Sequence, residues 1–258
     1  MIRKIILVAP VLLLLSFSTG KKRGFTPPGT VQITETFFAD AAEINNFSWW
    51  EFEFWTKNKY GASSPQHLAT LPDTSVWDNT SQAFIRSYYR DKDYRDYPVV
   101  GVSYEQAQAF CKWRSDRVRE FFYIRYQKEL NIEYRLPSRD EWELLTSSAS
   151  EVFNGGNMVK CIKNTKDSKV YRICYNARCF INDSVGYYSY TSPSECYPRN
   201  SFGLYDMIGN VSEMVAEKGI SKGGSWMHSL EECRPGKDIP YSAPASWLGF
   251  RCVCVVGK

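Results

Sequence analysis

The sequence is poor in histidine: His67 and His228 are the two in 258 residues. Two imidazoles cannot complete a three-histidine or two-histidine-one-carboxylate iron set without unusual ligands. Structural zinc is served no better. Cys174 and Cys179 lie five apart and Cys252 and Cys254 two apart, which is not the paired spacing that zinc sites use. A dominant charge is missing too, with 32 Lys and Arg against 28 Asp and Glu. Loss of residues 1–20 would remove Arg3 and Lys4 and no acids, leaving 30 basic and 28 acidic side chains, a net +2. A nucleic-acid partner needs a concentrated basic surface, which this balance does not provide. Lys21-Lys22-Arg23 is a short solvated run rather than a binding patch. Internal repeats and low-complexity stretches are absent. No cysteine lies near residue 20, so there is no attachment point for a bacterial lipid anchor.

One long apolar run is present, at residues 5–17, behind the basic start Arg3-Lys4. Ser18-Thr19-Gly20 follows with small residues suited to cleavage. The run is short for a membrane span, so a signal peptide over residues 1–20 is the better reading and an uncleaved anchor the alternative. Cleavage would leave no transmembrane helix. The expected location is outside the cytoplasm, in the periplasm or outer cell envelope. All eight cysteines lie beyond residue 20: Cys111, Cys161, Cys174, Cys179, Cys196, Cys233, Cys252 and Cys254. An even count in an exported chain points to disulfides, but eight cysteines allow 105 pairings.

The remaining chain is long enough for one sizeable core, with 43% hydrophobic and 16% aromatic residues. Residues 21–36 read as a polar linker with Pro27-Pro28-Gly29 as a breaker and then a short β-like piece, Val31-Gln32-Ile33-Thr34. Asn45 or Asn46 caps a predicted helix whose apolar face carries Phe47, Trp50 and Phe54, widened by Trp49 and Trp55. Pro72-Asp73 starts a turn from which Val76-Trp77 returns to the core. Ser103 and Gln106 form a capping box for a helix that turns Ala107, Phe110 and Cys111 inward. Ser138 and Glu141 form a second box, ahead of Trp142, Leu144 and Leu145. Residues 147–198 hold four cysteines among polar residues and read as an insertion of irregular strands and loops with its own disulfides.

Six blocks then resemble the formylglycine-generating enzyme, or sulfatase-modifying factor, superfamily. They are Tyr97-Pro98-Val99-Val100-Gly101-Val102-Ser103, Ala109-Phe110-Cys111-Lys112-Trp113 and Arg135-Leu136-Pro137-Ser138-Arg139-Asp140-Glu141-Trp142-Glu143. The others are Phe202-Gly203-Leu204-Tyr205-Asp206-Met207-Ile208-Gly209-Asn210, Lys222-Gly223-Gly224-Ser225-Trp226 and Leu248-Gly249-Phe250-Arg251-Cys252. The stretch Leu71-Pro72-Asp73-Thr74-Ser75-Val76-Trp77 also resembles the gliding-motility and type IX secretion lipoproteins of that superfamily. The resemblance implies one α+β domain over residues 37–258, low in regular secondary structure and distantly like C-type lectins. It implies a disulfide between Cys111 and Cys252.

In the family, copper held by two cysteines oxidises a sulfatase cysteine. The first lies three residues after Gly-Gly-Ser and the second five later, positions filled here by His228 and Cys233. Soft Cu(I) favours two thiolates, so copper is not expected, although imidazole is a competent ligand. Three readings of the pair stand open. His228 is an ordinary loop histidine with Cys233 in a disulfide, to Cys254 or to a cysteine of the insertion; the pair is an altered copper site; or Cys233 is a nucleophile activated by His228. The family also holds calcium at the Gly-Asn-x-x-Glu turn, which places Ile208, Asn210 and Glu213 as calcium ligands with Asp206 near by. The alternative is that Asn210 and Glu213 only hydrogen-bond the turn. Ser212-Glu213-Met214 stands where the family usually has Trp-Glu-Trp.

These readings lean away from catalysis. They point to a structural or protein-binding component of the bacterial cell envelope, with a protein partner and a place near gliding or type IX secretion machinery. The enzyme alternative is a divergent copper oxidase of a protein cysteine. A third alternative is a lectin-like module gripping a glycan or peptide between its aromatic-lined turns.

Overall fold

The computed structural model describes residues 25–77, 87–146, 159–165, 168–173 and 190–257. Short strands β1 (Thr30–Gln32) and β2 (Phe37–Asp40) pair as a hairpin. β1 lies inside the stretch set apart as a linker, and it is hydrogen-bonded into the main sheet.

Helix α1 (Asn46–Tyr60) begins where Asn45 accepts a hydrogen bond from the Ser48 amide. Its buried face differs from the expected one. Trp49, Phe52 and Thr56 are buried, whereas Phe47 and Phe54 are exposed. Trp50 is half-buried and donates to the Tyr89 carbonyl. The buried side chain of Asn46 sets this rotation, donating to the Tyr88 and Tyr94 carbonyls at 3.0 and 2.9 Å. An aromatic-rich helix offers apolar residues on both sides, and the polar anchor decides which side packs. The turn of α2 (Pro65–Leu68) follows. Val76-Trp77 returns to the core as expected, with Trp77 buried.

Helix α3 (Tyr104–Tyr126) carries the capping box seen in its sequence. Ser103 Oγ accepts from the Gln106 amide, and Gln106 Oε1 accepts from the Ser103 amide. Its first three turns bury Ala107, Phe110, Cys111 and Ser115. Trp49 stacks on Phe110 at 5.5 Å between ring centres, and Phe250 meets both rings edge-on. This packing joins α1, α3 and the chain's closing segment in one core.

Strand β3 (Ile132–Arg135) leads into α4 (Arg139–Thr146), where Ser138 and Glu141 make the second capping box. In the insertion, β4 (Val159–Thr165) and β5 (Ser168–Ile173) form an antiparallel hairpin with a register shift between Cys161 and Lys163. Most of residues 147–198, with Cys174 and Cys179, lies outside the described residues, and so does the insertion's disulfide pattern.

The last strands are β6 (Ser212–Met214), β7 (Ile220–Lys222), β8 (Ile239–Pro240), β9 (Leu248–Gly249) and β10 (Val253–Val256). The first sheet has the order β1-β2-β10-β3 and the second β8-β7-β6-β9. β10 is antiparallel to both of its neighbours. Its residues alternate between faces, as strand geometry requires. Val253 packs with Ala39, Trp142 and Leu145, while Cys254 packs with Phe38, Ile132 and Tyr134. The architecture is α+β, as expected. Among the described residues, no helix is long and apolar enough to cross a membrane.

Candidate functional site

The two glycine-bearing turns lie side by side. Gly209 donates its amide to the Gly223 carbonyl at 2.9 Å, and Trp226 donates to the Asn210 carbonyl at 3.0 Å. Asn210 adopts a left-handed φ of 59°, which its short polar side chain tolerates. That side chain is fully engaged. Its oxygen accepts from the Ser192 amide at 2.8 Å and hydroxyl at 3.1 Å, and its nitrogen donates to Glu43 Oε1 at 3.1 Å. Asn210 thus locks the turn to residue 192 and to the segment ahead of α1.

Glu213 does not face an open cage. Arg251 grips it at two points, Nε to Oε2 at 2.7 Å and Nη2 to Oε1 at 2.5 Å. The Trp142 indole N–H donates to Oε2 at 2.8 Å. Burial opposes the charge on Arg251, but the Glu213, Glu43 and Asp206 carboxylates together raise the arginine's pKa. β6 places Glu213 opposite Gly249 of β9 and Lys222 of β7. Lys222 is itself buried and ion-pairs with Glu143 and, at 3.0 Å, with Asp238.

A second acidic pair, Glu43 and Asp206, is also buried, and one oxygen of each, Glu43 Oε2 and Asp206 Oδ1, has no hydrogen-bond partner. Burial pushes Glu43 well above the ordinary range, reinforced by the charge of Asp206. Burial likewise raises Asp206 to about 6, against the lowering effect of the Glu195 amide and Arg251. Sequence reasoning missed Glu43. It lies some 160 positions ahead of the turn it supports, and no local pattern marks it.

His228 and Cys233 sit in one loop, and the structure brings a third residue to them. Ser225 Oγ lies 2.6 Å from His228 Nδ1 and also accepts the Met227 amide at 3.1 Å. The His228 ring meets Trp247 edge-on at 4.9 Å. The Ser225 contact was missed, although a serine three residues ahead of a polar side chain is a known local pairing. Cys233 is fully buried, its sulfur 4.0 Å from the Ser225 and His228 carbonyls. Gly224, at φ 67°, makes room for it. A Cβ there would stand 2.2 Å from the Cys233 sulfur. Cys254 lies on β10, and burial pushes its thiol up to about 12. The loop's donor set toward a soft metal is one imidazole and one thiol, which is not the pair of thiolates that Cu(I) favours.

Away from this loop, Cys111 on α3 and Cys252 before β10 face each other with sulfurs 3.4 Å apart, both buried. This is the pair that the resemblance singled out.

Residues 8–256 match the family described as the sulfatase-modifying factor enzyme 1-like domain. The chain is 25% identical over 184 residues to a Bos taurus protein named inactive C-alpha-formylglycine-generating enzyme 2, covering 63% of this chain and 52% of that one. It is 28% identical over 221 residues to the formylglycine-generating enzyme of Mycobacterium tuberculosis, covering 69% and 65%. The chain spans about half the length of the curated mammalian relatives it matches. Among solved structures, CarF aligns with a TM-score of 0.54 at 18% identity, covering 89% of this chain and 96% of its own. At that identity the likeness is one of fold.

Proposed function

Because the chain belongs to the sulfatase-modifying factor enzyme 1-like family, we propose that it is a non-catalytic, exported member that acts by binding a protein in the bacterial cell envelope. The observation that carries this reading is the Ser225–His228 contact at the first copper-cysteine position. An imidazole held at Nδ1 by a buried serine stands where the family's chemistry needs a thiolate. The residues present, one imidazole and one thiol, do not fit a dithiolate copper centre.

The family name alone does not decide activity, since the relatives include proteins named as generating enzymes and others named as inactive. The inactive relatives are in keeping with a fold that outlives its chemistry. Export rests on the basic start and apolar run of residues 1–20. The place near gliding or type IX secretion machinery rests on Leu71-Pro72-Asp73-Thr74-Ser75-Val76-Trp77. At the turn of Ile208, Asn210 and Glu213, Arg251 already neutralises Glu213 and Asn210 is saturated by Ser192 and Glu43, which favours a hydrogen-bonded turn over a calcium site.

The test is aerobic incubation of the chain, with added copper, with a sulfatase-type Cys-x-Pro-x-Arg peptide, read by mass spectrometry. The peptide cysteine is expected to remain unconverted. Turnover that disappears in Cys233→Ser would overturn the reading in favour of a divergent copper oxidase. That alternative draws on His228 and Cys233 sharing one loop. It also requires stoichiometric Cu(I) binding that is lost in His228→Ala.

A further inference from the structure

Lys222 is a buried amine with its reacting atom against two acids. Its side chain is 1% exposed, which is costly for an ammonium unless it is paired. Nζ lies 3.0 Å from Asp238 Oδ1 and also contacts Glu143 Oε1. The Trp142 ring lies 5.9 Å from the same nitrogen.

Two elements hold this arrangement. β7 and β8 pair Ile220 with Pro240 and Ser221 with Ile239, so the next step of the ladder sets Lys222 opposite Asp238. α4 brings Arg139 and Glu143, which are four residues apart and therefore share one face of the helix. Both Glu143 oxygens accept from the Gly236 amide, at 3.0 and 2.9 Å, which ties Glu143 to the loop that carries Asp238. Arg139 donates to the other oxygen of Asp238, Oδ2. One carboxyl group thus faces an amine through one oxygen and a guanidinium through the other. A nucleophile, a carboxylate that can carry a proton and a donor to a developing oxyanion are the parts that acyl transfer needs.

We propose that Lys222 and Asp238 condense to an intramolecular isopeptide bond, with Glu143 carrying the proton and Arg139 donating to the oxyanion. Transfer of one proton from Nζ to Oδ1 turns the ion pair into an amine and an acid, the reacting forms. Nζ attacks Asp238 Cγ, and negative charge develops on Oδ2 against Arg139. Glu143 takes a proton from Nζ and returns it to Oδ1. The Cγ–Oδ1 bond breaks, one water leaves and the Nζ–Cγ amide remains. Nothing is oxidised or reduced, and no co-reactant is consumed. Holding the two groups in contact replaces an encounter by a unimolecular step, with effective molarities of about 10⁵–10⁸ M. The Asp238 and Glu143 side chains are 31% and 33% exposed, which gives the water a way out.

The bond closes a covalent ring from Lys222 to Asp238 that contains Gly224, His228 and Cys233. It fixes the copper-position loop in oxidising and reducing surroundings alike. The inference goes beyond the non-catalytic reading and does not depend on it.

The test is the intact mass of the full chain, reduced and compared with the mass calculated from its sequenced N-terminus. The expected result is a chain lighter by one water, whose digest contains a branched peptide joining Lys222 to Asp238. Lys222→Arg keeps the cation without the nucleophile and should show the full mass. Glu143→Gln keeps an acceptor for the Gly236 amide but cannot carry the proton, and should remain largely uncondensed. Near-ultraviolet circular dichroism checks that each variant is folded, and the branched peptide of the parent chain decides the matter without them. A parent chain of full mass, with Lys222 and Asp238 in separate linear peptides, would overturn the proposal. So would a loss of water that persists in Lys222→Arg, by placing the dehydration elsewhere.

Discussion

Arg251 and Glu213 form a two-point ion pair sealed from solvent, with side chains 0% and 1% exposed. The guanidinium also donates to the Asp40 and Tyr205 carbonyls, so one arginine gathers β2, the turn before β6, and β6 itself. Removing one partner strands the other charge in the core. Arg251→Met is expected to cost about 3–5 kcal/mol, read from urea unfolding. Arg251→Met with Glu213→Leu should cost clearly less than the sum of the two single changes. Simple additivity would show that the two side chains act independently.

Cys111 and Cys252 are 141 positions apart in sequence and in sulfur contact in space. In an oxidising compartment they are expected to form a disulfide, found as a linked peptide pair after alkylation and mass spectrometry. In the chain-entropy account, closing so long a loop stabilises by at most about 4–5 kcal/mol. Unfolding midpoints measured with and without reductant should differ accordingly, and Cys111→Ser should abolish the difference.

Glu43 and Asp206 give stability an unusual pH dependence. Carboxylates that gain a cationic or hydrogen-bonding partner on folding usually have lowered pKa values, but burial raises both of these. A raised acid favours the folded state while it is protonated. For Asp206 that contribution is fully present below the unfolded value of 3.8 and is lost as pH rises through about 6. Asp206→Asn removes the titration while keeping an oxygen for the Glu195 amide. Its stability relative to the parent should therefore increase between about pH 4 and pH 6 and then level off. A difference constant with pH would show that Asp206 does not titrate in this window.

The two sides of α1 should respond in opposite ways. Trp49 is fully buried, stacks on Phe110 and donates its indole N–H to the Thr70 carbonyl at 2.8 Å. Trp49→Ala is expected to cost about 3–5 kcal/mol. Phe54, which faces water, should tolerate serine within about 0.5 kcal/mol. Thermal or urea unfolding of the two variants distinguishes this face from the one that the sequence pattern suggested.

What could be read in the sequence follows from how far its signals reach along the chain. The capping boxes at Ser103 and Ser138 are complete within four residues, and both helices begin where those residues place them. The inward turn of Cys111 followed from three-and-four spacing inside one helix. The rotation of α1 could not be read this way, because the anchors of Asn46 lie more than forty residues away. The candidate site shows the same division. Gly223, Gly224 and Ser225 mark themselves as a tight turn, and His228 and Cys233 fall in its loop. The partners that define the neighbouring charges do not mark themselves. Arg251 claims Glu213 across 38 residues, and Glu43 reaches Asn210 across 167. Long-range charge pairing leaves no periodicity, so the Arg251–Glu213 pair could not be read from the sequence.

The central place of β10 has a consequence for the order in which the protein is made. β2 and β3 share no ladder, and β10 is the strand between them. Until translation has passed Val256, those two strands flank an empty lane. The same closing stretch delivers Arg251 to Glu213 and Cys252 to Cys111. A nascent chain halted before residue 251 therefore lacks the middle of its sheet, its buried counter-ion and one half of its sulfur pair together. Such a chain cannot complete its first sheet for as long as the ribosome holds its tail.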